Sequence, residues 1–210
     1  MKSPLSYQIS EYDCGPISLI NAINYLFDRE KLQPDLIKNI YEYTLDRYNK
    51  KGIQGMYGTS DDSMLFMSQH LNHYGKQIGL SIFCETLVKE EVCFNDNEHI
   101  NKCIKNKGVV LFKCWLGCPH YVLLTDIKGD DFYVFDPYYR KRKFDNPDIQ
   151  IIDEPLKANR IIKRKVFDSV LNTDYTLSKV EDRIAILMYN TLCLNKNTRR
   201  NSRWVKYSFN

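Results

Sequence analysis

Cys14, His120 and Asp136 are the residues of this chain whose types and order suit nucleophilic chemistry. Cys14 stands in the stretch Tyr7-Gln8-Ile9-Ser10-Glu11-Tyr12-Asp13-Cys14-Gly15-Pro16, ahead of an apolar run from Ile17 to Phe27. This pattern turns an irregular segment into a helix at the cysteine. Pro16 falls in the first turn, where its missing N–H costs no hydrogen bond, and Asp13 is placed to cap the free amides. A thiol on the first turn of a buried helix feels the positive end of the helix dipole, which favours thiolate. Such a sulfur is a nucleophile near neutral pH and calls for a base.

The base lies in the segment from Pro119-His120-Tyr121-Val122 to Asp136-Pro137. Two runs rich in β-branched and aromatic residues, 119–127 and 132–136, flank a polar stretch containing Gly129, which reads as a β-hairpin. A short loop of odd length centred near Lys128 pairs Asp126 with Asp130, Leu124 with Phe132, Val122 with Val134 and His120 with Asp136. These positions are all even, so they share one face, and the imidazole meets the carboxylate at the open end of the hairpin. A slip of one residue would send the two to opposite faces.

Gln8, then Asp13-Cys14-Gly15-Pro16 and Leu19, then His120-Tyr121-Val122 and Asp136-Pro137 closely resemble the bacteriocin-processing cysteine peptidases that cleave double-glycine leader peptides, within the papain-like clan. The resemblance covers roughly the first two thirds of the chain, and four matched elements in order are far more specific than one motif. It implies a papain-like α+β fold, with an N-terminal helix bearing the nucleophile packed on an antiparallel β-sheet bearing the histidine and the aspartate. It also implies roles: Cys14 as nucleophile, His120 as general base and then acid, Asp136 as orienting partner and Gln8 as oxyanion donor. Most such peptidases are fused to a membrane transporter, whereas this chain reads as a stand-alone domain.

The chemistry of these residue types agrees with those roles. Cys14 thiolate attacks a carbonyl carbon while His120 holds the proton and later passes it to the leaving amine. Resolution of the acyl-enzyme by water makes a thiol peptidase acting on a peptide or small-protein substrate, the leading expectation. Resolution by an amine makes an acyl- or aminoacyltransferase. A third reading, from another class, is a non-catalytic module that keeps the fold and binds a partner. Taken singly, a cysteine in an apolar helix is ordinary core packing; the Gly-Pro behind Cys14, Gln8 ahead of it and the downstream pair lift it above that.

Several elements must position these residues. Pro34 to Leu45 reads as a second helix and Tyr48 to Gly58, with three glycines, as an exposed loop. A third helix is expected from Thr59 or Ser60, with Asp61 and Asp62 in its first turn and Gly75 at its end. Gln77 to Leu87 reads as a strand, Asn97 to Asn106 as a short helix closed by Gly108, and Val109 to Trp115 as a buried strand leading into the hairpin. Residues 1–150 form the expected papain-like domain. Residues 151–210 form a basic C-terminal extension of strand plus helix packed on it, the helix starting at the capping box Ser178-Lys179-Val180-Glu181 and running to Leu194.

With 210 residues and 43% hydrophobic content, the chain is long enough for a sizeable core. No apolar run approaches the roughly 18 residues of a spanning helix, and no secretory signal follows Met1. Seven scattered cysteines suit a reducing compartment, and the expected location is cytoplasmic. The net charge of +4 hides an asymmetry: residues 140–210 hold 16 Lys and Arg against 8 Asp and Glu, the first 139 hold 14 against 18. The basic clusters 140–143, 160–165 and 199–206 read first as a solvated face and second as a dock for an acidic partner, with nucleic acid disfavoured. Cys114, Cys118 and His120 lack a fourth zinc ligand, and His70 and His73 lack a glutamate between them, so neither set carries a metal expectation. No cofactor is expected.

Overall fold

The apolar run behind Cys14 becomes helix α1, Cys14–Leu26, and eleven of its thirteen residues are buried. It appears so in a computed structural model that describes residues 1–194. Helix α2, Pro34–Thr44, starts on its proline and buries Leu36 and Ile40. Helix α3, Asp61–Ile78, is capped by the Ser60 side chain, which accepts from Ser63 N–H. The helix does not stop at Gly75; it continues to Ile78 and closes at Gly79, whose φ of 69° is the left-handed turn that glycine adopts without strain. Gly75 has another cause: a Cβ there would sit 2.5 Å from Ile82 Cγ2, so it lets the next strand pass close by. That strand, β1, therefore begins at Ile82 rather than Gln77, and runs to Val88.

Helix α4, Glu98–Lys105, capped by Asn97, precedes β2, Val109–Trp115, and the strands β3, Pro119–Lys128, and β4, Asp131–Phe135. Three further strands follow: β5, Ile149–Glu154, β6, Ala158–Lys163, and β7, Ile184–Asn190. The described residues thus form an α+β protein with one seven-stranded antiparallel sheet, ordered β1-β7-β2-β3-β4-β6-β5.

The expected C-terminal helix is absent from its place. Ser178 has a φ of 60°, Val180–Asp182 make only a short 3-10 turn, and the chain enters β7. The reason is legible in Ile184-Ala185-Ile186-Leu187-Met188-Tyr189, which is buried at every position. A run apolar on both faces belongs to an inner strand, and β7 lies between β1 and β2. Residues 149–190 therefore complete the sheet. The third basic cluster, 199–206, lies outside the described residues.

Both faces of the sheet are covered. Leu111, Leu123, Ile186 and Met188 pack with Ile20, Ile23, Ile40 and Met67 of α1 to α3. Phe112, Leu124, Val134 and Leu187 pack on the other face with Ile100 of α4 and with Phe94, Phe167 and Tyr175. Ile186 is wholly buried in the first layer. Ile186→Ala should lower stability by about 2–5 kcal/mol, measured by urea unfolding; a change under about 0.5 kcal/mol would contradict the central placement of β7.

Candidate active site

The hairpin that carries His120 and Asp136 is not the one its sequence suggests. Its turn is the two residues Gly129 and Asp130, with Lys128 opposite Asp131 and Ile127 opposite Phe132. Continued without interruption, that register pairs even positions with odd ones and places His120 and Asp136 on opposite faces. A bulge at Thr125 intervenes: Asp126 lies opposite Tyr133, but Leu124 lies opposite Val134 and Leu123 opposite Phe135. The extra residue restores even-to-even pairing beyond it. The expected pairing is therefore two residues out, and the shared face is kept. Thr125 Oγ1 donates to the carbonyls of Tyr133 and Lys157, at 3.1 and 2.9 Å, which holds the bulge in place.

His120 Nε2 lies 2.7 Å from Asp136 Oδ1, and both side chains are buried. The same ring interacts with the Cys14 sulfur through charge and hydrogen bonding, so thiol, imidazole and carboxylate stand in one series. By strand alternation His120 points with Val122 and Leu124, away from the face that α1 covers. Contact with Cys14 is made at the end of the sheet, where the first residue of α1 meets the second residue of β3. Ser18, one turn along α1 from Cys14, donates from Oγ to the Tyr121 carbonyl at 2.9 Å and fixes that meeting.

Asp13 does not cap α1 through its side chain. Its carboxylate instead accepts from the N–H groups of Ile9 and Ser10 and from the Ser10 hydroxyl, at 2.9 to 3.1 Å, and so folds the preceding loop back on the helix start. That leaves the first-turn amides of α1 beside Cys14. The loop is also tied to the aspartate's own segment, since Gln8 N–H donates to Pro137 O at 2.8 Å. Gln8 lines the same cleft as Cys14. Its side-chain amide donates to Ser10 O at 2.7 Å, and its Oε1 is buried without a partner.

Asp136 is held by a set of residues that sequence reasoning missed. Tyr138 N–H donates to Oδ1 and the Tyr175 hydroxyl to Oδ2, at 2.7 and 2.6 Å. The Arg160 guanidinium lies 3.9 Å from Oδ2 and donates through Nε to the Tyr175 hydroxyl at 3.0 Å. Asn159 brackets the Asp136 backbone, accepting its N–H and donating to its carbonyl. Arg160 is almost wholly buried, at 1% exposure. One signal pointed to it: in β6 it alternates with Ala158 and Ile162, an arginine in an apolar stripe. The Tyr175 backbone has a φ of 64°, a strained region for a bulky residue at about 1–3 kcal/mol, kept where surroundings over-determine it.

The electrostatics follow from this packing. Burial by itself raises the Cys14 thiol, but the charge and hydrogen bond of His120 outweigh it and the thiol is held below its ordinary value. Burial also disfavours the His120 cation; Asp136 and Cys14 outweigh it and hold the imidazole well above its ordinary value. For Asp136, burial is opposed by His120, Arg160 and Tyr175, and the carboxyl stays below its ordinary value. Both shifts run in the direction that favours the thiolate–imidazolium form of the pair. By contrast, burial pushes the Cys84, Cys103 and Cys114 thiols far up, which makes them inert near neutral pH.

The pair opens on a cleft of about 750 Å³. Its walls are the loop before α1 with Glu11 and Tyr12, the α2–α3 loop with Arg47, Tyr57 and Thr59, the β2–β3 turn with Cys118, and Tyr138, Arg140 and Asp174. Charges of both signs line it. The other singled-out residues lie elsewhere or act otherwise. His70 stacks between Phe66 and Tyr74 on α3, and His73 pairs with Gln77. Cys114 is the cross-strand partner of His120. Within the basic cluster 160–165, Arg160 is buried and Lys163, Arg164 and Lys165 each face an aspartate, so its charge is largely answered within the molecule. Among the described residues no helix is long and apolar enough to cross a membrane.

The site thus defines a class: an α+β protein with a buried cysteine–histidine–aspartate chain opening on a cleft. Compared with protein-family models and with curated proteins, the chain matches none.

The raised His120 value gives a signed prediction. Its ring signals in proton NMR should still report imidazolium above pH 6.5. Asp136→Asn, or carbamidomethylation of Cys14, should each move the transition down by about one unit or more. Stability from the His120 pairing is complete below the unfolded pKa and is lost as pH rises through the folded one. Stability from Asp136 is present above its unfolded pKa and is lost as pH falls through the depressed folded one. An imidazole titrating at its ordinary value in the wild type would contradict the pairing.

Proposed function

We propose that the chain is a papain-like thiol peptidase of the kind its motifs resemble, hydrolysing a peptide bond in a peptide or small precursor protein. The observation that carries this reading is the buried Cys14–His120–Asp136 chain with its sulfur at a helix start on a cleft wall. Cys14 Sγ attacks the scissile carbonyl carbon, and the C–N bond breaks as His120 gives its proton to the leaving nitrogen. Water then adds to the thioester carbonyl while His120 takes a proton from it; the C–S bond breaks, releasing the acid and restoring the thiolate–imidazolium pair. Asp136 stays ionised and holds the ring in orientation.

The oxyanion is met by the Cys14 backbone N–H and by the Gln8 amide, each donor contributing about 2.7–4 kcal/mol in comparable sites. One Gln8 N–H is engaged by Ser10 O, and the second is the one available to the oxyanion.

Two measurements test the reading. Iodoacetamide should alkylate Cys14 faster than the exposed Cys118 and Cys193 at pH 6, and His120→Ala should remove that advantage. On any peptide the wild type cleaves, Cys14→Ala should lower the rate by about 10⁴-fold or more. Undiminished cleavage by Cys14→Ala would sink the proposal, and mass spectra showing an amine adduct in place of a free acid would turn it into an acyltransferase.

A further inference from the structure

Thr59 stands where the loop after α2 turns into α3, directly before the capping residue Ser60. It lines the cleft with Cys14 and is nine-tenths buried. Its Oγ1 is buried without a hydrogen-bond partner. It also presses on the nucleophile's own backbone: a Cβ added to Gly15 would lie 2.3 Å from Thr59 Oγ1 and 2.8 Å from Thr59 Cβ. The glycine after Cys14 is thus explained by the hydroxyl beside it. Burying a hydroxyl without a partner is unfavourable, and native proteins rarely tolerate it away from sites that a ligand completes. The same cleft holds a second orphan, the buried Oε1 of Gln8.

The two orphans differ in chemistry. Gln8 Oε1 accepts only, whereas a threonine hydroxyl can also donate. As the side chains stand both atoms are covered, Thr59 Oγ1 by Gly15; turned toward the cleft they would offer an acceptor for an N–H and a donor for a carbonyl, the pattern an extended peptide backbone requires.

We propose that Thr59 is a substrate-binding residue, its hydroxyl donating a hydrogen bond to a backbone carbonyl of a peptide lying across Cys14, close to the scissile bond. The ligand class is a peptide backbone, independent of side-chain identity. This assignment rests on the peptidase reading.

The test compares two reagents that both alkylate Cys14. Iodoacetamide is too small to use a subsite; N-acetyl-glycyl-alanyl chloromethyl ketone carries two backbone carbonyls and must lie in the cleft. Thr59→Val, which keeps the shape and removes the hydroxyl, should slow the peptidyl reagent by about 5- to 20-fold. It should leave iodoacetamide within about twofold and Tm unchanged or raised, because an unpaired buried hydroxyl has been removed. Thr59→Ser should recover most of the peptidyl rate. Equal slowing of both reagents, or a lowered Tm with no selective slowing, would assign Thr59 to the scaffold and overturn the proposal. So would an unchanged peptidyl rate in Thr59→Val against a fast wild type, which leaves the peptidase reading standing. A wild-type Cys14 that reacts with the peptidyl reagent no faster than Cys118 removes the peptidase reading and the proposal with it.

Discussion

A fully buried carboxylate is the constraint on which the rest of this structure turns. Asp136 keeps its charge in a place where an unpaired charge would be prohibitively unfavourable. Its compensation comes from four separate places in the chain: an imidazole at the start of β3, a backbone amide just past β4, an arginine on β6, and a tyrosine on the segment before β7. Bringing those donors to one carboxylate requires β3, β4 and β6 to lie side by side, as they do. It also requires the 171–177 segment to close over the sheet, down to the strained backbone at Tyr175. The network satisfies each member, and partly satisfied buried networks are the costly kind. The consequence reaches the sulfur, because the His120 charge that lowers the thiol is itself favoured by Asp136.

The site also sits where the two cores of the molecule meet. Helix α1 packs on one face of the sheet, whereas His120, Asp136 and Tyr175 belong to the other. Only at the sheet's end can a helix start from the first layer reach a strand residue directed to the second. Both layers must therefore be packed before the thiol and the imidazole can touch. The Ser18 hydroxyl bonded to the Tyr121 carbonyl, and the Gln8 N–H bonded to the Pro137 carbonyl, are the ties that hold the two layers in register there.

Much of this was legible in the chain and some was not, for identifiable reasons. Cys14 at a helix start, the helix beginning at Pro34, helix starts near Ser60 and Asn97 and the strand 109–115 are set by local chemistry, and the structure has them there, with Ser60 and Asn97 as the capping residues. The nearness of His120 and Asp136 was correct on a register that was wrong by two. The two-residue turn and the bulge at Thr125 each reverse facing, and together they cancel; Gly129-Asp130 is a pair suited to a two-residue turn, but nothing in the local sequence marks the bulge. Gly75 and Asp13 were misread because each serves a tertiary contact that mimics a local signal, a stop and a cap. The C-terminal helix failed because a capping-box pattern outweighed an apolar run whose meaning depends on neighbours on both sides. Arg160 and Tyr175 were missed because burying a cation and a phenol makes sense only once Asp136 is seen between them.

Strand β7 is the last described strand in the chain and an inner strand of the sheet, flanked by β1 and β2. During synthesis, then, β1 and β2 emerge long before the strand that must lie between them. Until β7 arrives, each presents an open edge and an uncovered apolar face, the features that make partly formed sheets prone to misassociation. Pairings of such sequence separation also close slowly. Because Arg160 and Tyr175, which surround Asp136, are made late as well, the growing chain carries Cys14 well before the apparatus that would activate it exists. Sheet order alone thus ties the maturation of the thiol to completion of the fold.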